Sequence, residues 1–227
     1  MLKILDLFCG IGGVARGFHD YLQEHRIKYL YVAIDIDKHV LKAHKALNPL
    51  SNVILRDAYS FSIDELRRYD FVWASPPCET HSIAGIWTRK EKKSPDFRLY
   101  KLILTLHDAN IPFVVENVKP YYNPPIKPTS KANRHRLWSN LSISPVNLRL
   151  TPFERVKNST RTLCEYHDLP EEIAKIIPSK KRRDALRDMV HHEIAYEIAK
   201  QVIPQVLEGK KVIQTKLGDG HAEMHDL

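Results

Sequence analysis

A chain of 227 residues with 43% hydrophobic content has material for one sizeable core and a small appendage. No apolar run approaches the ~20 residues of a membrane span, and Met1-Leu2-Lys3 leads straight into a strand-like run instead of a secretory leader, so a cytoplasmic or nucleoid-associated protein with no membrane partner is expected. The net charge of +8 is concentrated: Lys119 to Arg183 carries 14 Lys and Arg against 5 Asp and Glu, which suits a surface facing a polyanion. Cys9, Cys78 and Cys164 form neither a disulfide framework nor paired metal spacing, so no metal is expected and a reducing compartment is.

In chain order, Lys3 to Phe8 reads as a buried strand. Cys9-Gly10-Ile11-Gly12-Gly13 follows, then a helical pattern from Val14 to His25. A glycine-rich turn between strand and helix lets a ligand approach the backbone closely. No Lys-Ser or Lys-Thr follows, so this is not a nucleotide-triphosphate loop. Tyr29 to Ile34 is a second strand ending in Asp35-Ile36-Asp37, about 20 residues past the glycines, where a carboxylate can accept both ribose hydroxyls of an adenosine. Asp37 also reads as the N-cap of a helix over Lys38 to Leu47. A third strand, Asn52 to Leu55, ends in Arg56-Asp57-Ala58, with Asp57 a turn residue or an acceptor for an adenine amino group.

Ile63 to Tyr69 is a short helix, and Phe71-Val72-Trp73 a buried strand that runs into Ala74-Ser75-Pro76-Pro77-Cys78-Glu79-Thr80-His81-Ser82. Two prolines stiffen that exit, because each ring locks φ and removes an N–H. A cysteine there is either a small packed hydrophobe or a nucleophile at the sheet edge where ligands bind. Ile83 to Asp96 reads as a mobile loop able to close over a substrate, Phe97 to Ala109 as a helix, and Ile111 to Val115 as a strand ended by Glu116-Asn117-Val118. Glu116 thus falls on the same rim as Cys78. Lys119 to Thr129 is a proline-rich loop, and Asn133 to Ser139 alternates as a strand with Arg134 and Arg136 on one face. Asn140 to Arg183 is irregular and punctuated by proline, Ala185 to Leu207 is one helical region, and a frayed tail is expected from 208 to 227.

Together these residues resemble the cytosine-C5 DNA methyltransferases that use S-adenosyl-L-methionine. Asp6 to Gly13 is similar to that family's first motif, Ser75-Pro76-Pro77-Cys78 to its Pro-Cys motif, and Arg134-His135-Arg136 to its Arg-x-Arg motif, while Glu116-Asn117-Val118 is identical to its Glu-Asn-Val motif. The resemblance implies an α/β, Rossmann-like class I methyltransferase fold: a mostly parallel seven-stranded sheet with helices on both faces, plus a small basic recognition segment. It divides the chain into a catalytic part over 1–139, a shortened target-recognition segment over 140–183 and a returning helix over 184–207. It places the cofactor against Phe8, Gly10, Ile11, Gly12, Gly13, Asp35, Ile36, Asp57, Ala58, Pro77 and Leu99.

The resemblance also implies that Cys78 attacks C6 of a flipped-out cytosine. Glu116 hydrogen-bonds N3 with a raised pKa, Arg136 holds O2, Arg134 shapes the site, and Ser82 and Arg89 touch DNA phosphates. Such chemistry asks for a lowered thiol pKa, since the thiolate is the reactive form. Asp188-Met189 stands where an Asn-Ser-like pair is common in the family. Duplex DNA is the implied partner, with a restriction endonuclease beside it and a cellular or viral host. A tRNA cytosine-C5 methyltransferase and an inactive nucleic-acid-binding relative are the alternatives. A dinucleotide-dependent oxidoreductase fits less well, because Gly-x-Gly-Gly departs from Gly-x-Gly-x-x-Gly and leaves Pro-Pro-Cys without a role.

Overall fold

The computed structural model describes residues 1–82 and 94–222, with side chains through residue 210. Seven strands form one sheet: β1 (Leu2–Leu7), β2 (Tyr29–Asp35), β3 (Asn52–Leu55), β4 (Phe71–Ala74), β5 (Phe113–Val118), β6 (Ser130–Ala132) and β7 (His135–Ser139). Their spatial order is β3-β2-β1-β4-β5-β7-β6, parallel from β3 to β5 and antiparallel at β7 and β6. The mostly parallel α/β architecture expected from the resemblance is the one observed. Chain direction across the sheet reverses between β1 and β4, and in such sheets ligands bind beyond the carboxyl ends of the strands at that point.

Strand side chains alternate between two apolar layers, as the period of two demands. Leu2, Ile4, Tyr31, Phe71, Trp73 and Val114 enter one layer. It is covered by α1 (Gly13–Glu24) and α9 (His192–Ala222). Leu5, Leu7, Val32, Ile34, Val72, Ala74 and Val115 enter the other, under α4 (Arg98–Asp108). In the first layer Phe18 of α1 stacks on Phe71 at 5.6 Å between centroids. Residues buried on both faces explain why these strands read as continuous apolar runs.

The helices begin where side-chain caps allow. Asp37 accepts from the His39 N–H at 2.9 Å and starts α2 (Lys38–Leu47). Ser62 and Glu65 form a capping box on α3 (Ile63–Leu66). The stretch that reads as irregular holds four short helices, α5 (Phe153–Val156), α6 (Thr160–Tyr166), α7 (Glu171–Lys175) and α8 (Ser179–Arg187). Pro152, Pro170 and Pro178 stand at the N-caps of three of them. A third apolar layer of Val156, Leu163, Cys164, Ala174, Ile177, Leu186 and Met189 docks this unit on Val40 and Ala43 of α2.

Three boundaries differ from expectation. Glu116, Asn117 and Val118 lie inside β5 instead of after it, held by pairing with β7. The helical region expected from Ala185 to Leu207 is broken at 188–191, between α8 and α9. α9 continues to Ala222, through the stretch that reads as a tail; near Leu207 it is anchored by Lys210, whose Nζ reaches Asp70 Oδ2 at 2.8 Å.

α1 approaches α9 and the segment just before it so closely that no side chain fits at two positions. A Cβ on Gly13 would lie 2.0 Å from the Val190 carbonyl oxygen, and one on Gly17 would lie 2.3 Å from that of His192. Gly17 does not line the cavity at the carboxyl ends of the strands, so it isolates this packing constraint. Gly17→Ala is expected to destabilise the fold by about 2 kcal/mol from overpacking, net of up to about 1 kcal/mol gained in helix propensity. Urea denaturation followed by circular dichroism checks this; equal midpoints would show that α9 yields without cost.

Candidate active site

A cavity of about 610 Å³ opens beyond the carboxyl ends of β1, β2, β4 and β5. Two of its walls carry the residues singled out by the sequence. The first is the turn after β1. Phe8 and Gly10 have φ of 59° and 54°, and Gly12 has φ of 98°. A left-handed phenylalanine costs on the order of 1–3 kcal/mol, so the surrounding structure must enforce it. The Phe8 ring meets Tyr59 edge-on at 4.8 Å between centroids. The Gly10 N–H donates to Asp35 Oδ2 at 3.1 Å, and the Asp37 N–H donates to Asp35 Oδ1 at 2.9 Å.

Behind the turn runs a buried chain of hydrogen bonds. His19 Nδ1 lies 2.8 Å from Tyr29 Oη, and His19 Nε2 lies 2.9 Å from Ser51 Oγ. His44 Nε2 lies 3.2 Å from the same Oγ, and His44 Nδ1 lies 3.2 Å from the Gly10 carbonyl oxygen. One assignment satisfies every partner: Tyr29 donates to His19, His19 to Ser51, Ser51 to His44, and His44 to Gly10. It requires both imidazoles neutral. Burial lowers each to about 4, His19 further through His44 and Lys45, and His44 through Lys45 against its bond to Gly10. Asn48 Nδ2 donates to the Gly12 carbonyl at 3.0 Å, so the turn is braced at two points.

The cofactor-side residues divide clearly. Phe8, Gly10, Gly13, Asp35, Ile36, Asp57, Ala58 and Pro77 line the cavity. Ile36 is 75% exposed, an apolar side chain at the mouth that suits the face of a planar ring. Asp57 spends one oxygen on the Tyr59 N–H at 2.9 Å, capping a 3₁₀ turn over Ala58–Ser60. Ile11, Gly12 and Leu99 do not line the cavity. Ile11 is buried against α2 and Met189, and Gly12 faces Asn48 and His44. Leu99 points into the layer under α4, and its neighbour Arg98 lines the cavity instead. An open, glycine-floored wall beside a buried carboxylate and an exposed apolar side chain fits the adenosine and methionine parts of S-adenosyl-L-methionine.

The second wall is the exit from β4. Asn117 Nδ2 donates to the Pro76 carbonyl at 2.9 Å and fixes the Pro-Pro turn to β5. Cys78 is half-buried on this wall, with Sγ 3.8 Å from Asp188 Oδ1. Its thiol is pushed up to about 12, first by burial, then by Asp188 and Glu116, against Arg134. The expected fall is therefore not a property of these residues alone: two carboxylates face the sulfur and one guanidinium opposes them. Asp188 is itself pushed up to about 6 by burial, then by Asp184 and Glu79, against Arg187 and Arg134.

Glu116 also departs from expectation. Burial pushes its carboxyl up, but His135, Arg134 and a hydrogen bond from Ser75 outweigh burial and hold it below the ordinary range. His135 Nδ1 lies 2.5 Å from Glu116 Oε1, with both side chains buried. The two arginines do not share a face. Arg134 sits in the β6–β7 turn, its guanidinium 3.6 Å from the centre of the Phe153 ring and donating to the Arg187 carbonyl at 3.0 Å, and it lines the cavity. Arg136 pairs with Asn117 across β5–β7, one residue out of step with Glu116, and does not line the cavity.

Ser82 forms a bridge to Pro120 away from the cavity lining, while Arg89 and most of the loop expected to close lie outside the described residues. The sequence gives no site role to Asp6, Arg98, His135 or Lys181, and marks Asp188 only as a departure from the family pattern. Asp6 is fully buried, accepts from Tyr31 Oη at 2.9 Å, and is pushed up to about 8, mainly by burial. A carboxylate inside an apolar strand was its one visible signal. Lys181 of α8 reaches across the rim to Asp37 Oδ2 at 2.7 Å.

Residues 2–132 match the family model for C-5 cytosine-specific DNA methylases. The chain belongs to that family. A type II methyltransferase, M1.HphI of Haemophilus parahaemolyticus, is 31% identical over 125 residues, 52% of this chain and 32% of that protein. M.HgiCI of Herpetosiphon aurantiacus, also a type II methyltransferase, is 34% identical over 124 residues, 52% of this chain and 28% of that protein. The aligned part thus spans about a third of the length of the curated relatives. The fold is that of the Spodoptera frugiperda DNMT2 triple mutant (TM-score 0.59, 14% identity, 89% of this chain and all of that one). It is also that of S. pombe Dnmt2 (TM-score 0.56, 12% identity, 90% and 99%). Within this methylase family the described helices include none long and apolar enough to cross a membrane.

Two measurements test the electrostatics. The folded pKa of His19 and of His44 lies below the unfolded value, so their contribution to stability is complete above about pH 6.5 and is lost as pH falls toward about 4. The melting temperature is expected to drop between pH 7 and pH 5, and His19→Gln with His44→Gln to flatten that drop; an unchanged slope would refute the neutral chain. Asp188→Asn removes a like charge beside the sulfur, and Cys78 alkylation by iodoacetamide at pH 8 should accelerate roughly tenfold for each unit the thiol pKa falls. A slower reaction would refute the repulsion.

Proposed function

We propose that the chain transfers a methyl group from S-adenosyl-L-methionine to C5 of a cytosine flipped out of duplex DNA, through a transient bond between Cys78 and C6. The observation that carries this reading is the shared cavity: the Cys78 thiol and the Glu116 carboxyl line the same space as Phe8, Gly10 and Asp35. Its volume, about 610 Å³, lies within the range of small-molecule sites. When bound, S-adenosyl-L-methionine supplies the methyl group and a sulfonium charge that favours thiolate.

The residues divide the work. Asp35 lies where it meets the ribose, Ile36 and Ala58 flank the adenine, and the Gly10 backbone leaves room for the methionine part. Cys78 adds to C6, because C5 alone is a weak nucleophile and a covalent bond splits one hard step into two easier ones. Glu116 faces the ring nitrogen at which negative charge develops. Arg134, the arginine of the pair on the cavity wall, supplies positive charge toward the ring and opposes the carboxylates around the sulfur. A base inside a duplex cannot reach this cavity, so it must leave the stack. The basic excess of 140–183 and its neighbours suits the phosphate backbone. The relatives' type II names support a modification role, with a cognate restriction endonuclease as its counterpart.

The test uses duplex DNA carrying 5-fluorocytosine, with S-adenosyl-L-methionine present. A covalent adduct on Cys78, absent in Cys78→Ala while S-adenosylhomocysteine binding stays within about twofold, is the expected result. An adduct on another side chain overturns the mechanism. Transfer to tRNA but not to duplex DNA overturns the substrate.

A further inference from the structure

Within the Arg134-His135-Arg136 triplet, the middle residue is the one that reaches Glu116. The antiparallel register pairs Val118 with His135, Glu116 with Leu137 and Asn117 with Arg136. Side chains alternate along each strand, so His135 shares a face with Glu116 while Arg136 turns to the other. Glu116 Oε1 and His135 Nδ1 lie 2.5 Å apart, both side chains less than a tenth exposed, and both residues line the cavity. Arg136 instead donates from Nη1 to the His135 carbonyl at 3.2 Å.

We propose that His135 is a positioning residue for Glu116, and that its Nδ1 holds the proton that Glu116 delivers to N3 of the cytosine ring. This rests on the methyl-transfer reading and deepens it. A carboxylate can polarise N3 only with a proton between them, and Glu116 is held below the ordinary carboxylate range by the imidazole itself, with help from Arg134 and Ser75. The proton for N3 must therefore come from a neighbour. Four groups face Glu116: His135 on β7, Arg134 in the turn before it, Ser75 at the end of β4, and Cys78 across the cavity. Arginine does not give up a proton, the Ser75 hydroxyl donates a hydrogen bond but is too weak an acid to ionise, and Cys78 is spent on C6. His135 remains.

The step balances. As sulfur bonds to C6, the C5–C6 π pair moves to C4–C5 and the C4–N3 π pair moves to N3. N3 takes a proton from Glu116, and Glu116 takes one from Nδ1 of His135, which enters the step as imidazolium and leaves it as neutral imidazole. After C5 has received its methyl group, it gives its proton to solvent, the C5–H pair re-forms the C5–C6 π bond, sulfur departs with the C6–S pair, and the N3 proton returns along the same path.

His135→Gln keeps a hydrogen-bond donor for Glu116 and removes the transferable proton. Its turnover on duplex DNA is expected to fall about 100-fold, with S-adenosylhomocysteine affinity within about twofold of wild type. Its Glu116, freed from the imidazole, then takes its proton from solvent, so its rate should rise more steeply than wild type on going from pH 8 to pH 6. Added imidazole should restore His135→Ala by at least about tenfold, a rescue that a merely structural role does not allow. A His135→Gln rate near wild type overturns the proposal, as does a loss that neither acid nor imidazole relieves. A wild-type protein that binds S-adenosylhomocysteine yet forms no adduct with fluorinated duplex overturns the methyl-transfer reading as well. An active wild type beside an unaffected His135→Gln overturns the relay alone.

Discussion

Everything at the cavity depends on one pairing: β1 lies in parallel register with β4, Leu7 opposite Ala74. The Ser75 N–H extends that ladder by donating to the Leu7 carbonyl at 3.1 Å. Two chain exits are therefore held side by side, one bearing the glycine turn and the other the Pro-Pro-Cys turn. Parallel strands cannot place their carboxyl ends together unless the connections cross back over the sheet, and α1, α2 and their loops do this. In the proposed reaction, bringing a methyl donor near Cys78 would be a matter of sheet register before it is a matter of side chains.

The cavity is electrostatically crowded. Asp6, Asp35, Glu116 and Asp188 all line it, and each is pushed up by burial, although partners reverse the outcome at Glu116. Asp6 and Glu116 are buried, Asp35 is half-buried and Asp188 keeps an exposed edge, and a carboxylate drawn out of water is held by pairing or protonation. Each has a different solution here: a tyrosine hydroxyl for Asp6, backbone N–H groups for Asp35, an imidazole for Glu116 and a thiol for Asp188. Such a site suits a cationic ligand. A sulfonium entering it would lower the cost of every negative charge around it, that of the Cys78 thiolate included.

How much of this was legible depends on the kind of signal. The strands containing Ile4-Leu5, Val32-Ala33, Val72-Trp73 and Val114-Val115 were readable because burial on both faces leaves no polar interruption. Asp37 as a cap and the Gly10 turn were readable because each rests on a local rule. The parity of β7 was not. His135 and Arg136 alternate whichever way the strand faces, and only pairing with β5 decides which one meets Glu116. Leu99 and Arg98 pose the same problem on a helix: the sequence shows an amphipathic surface but not where its edge lies. The helices of 153–187 escaped notice because they are four to nine residues long and share one apolar layer with α2, so none carries a full periodic pattern alone.

The position of α2 links two parts of the molecule that the sequence keeps far apart. Its His44 supports the Gly10 carbonyl, while its Val40 and Ala43 carry the short helices of 153–187. Lys181, from the last of those helices, closes the circuit onto Asp37 at the start of α2. The glycine turn on the cavity wall and the helices of 153–187 therefore stand on a single beam. In the proposed reaction, holding the donor and seating the nucleic acid would both draw on the contacts of this one helix.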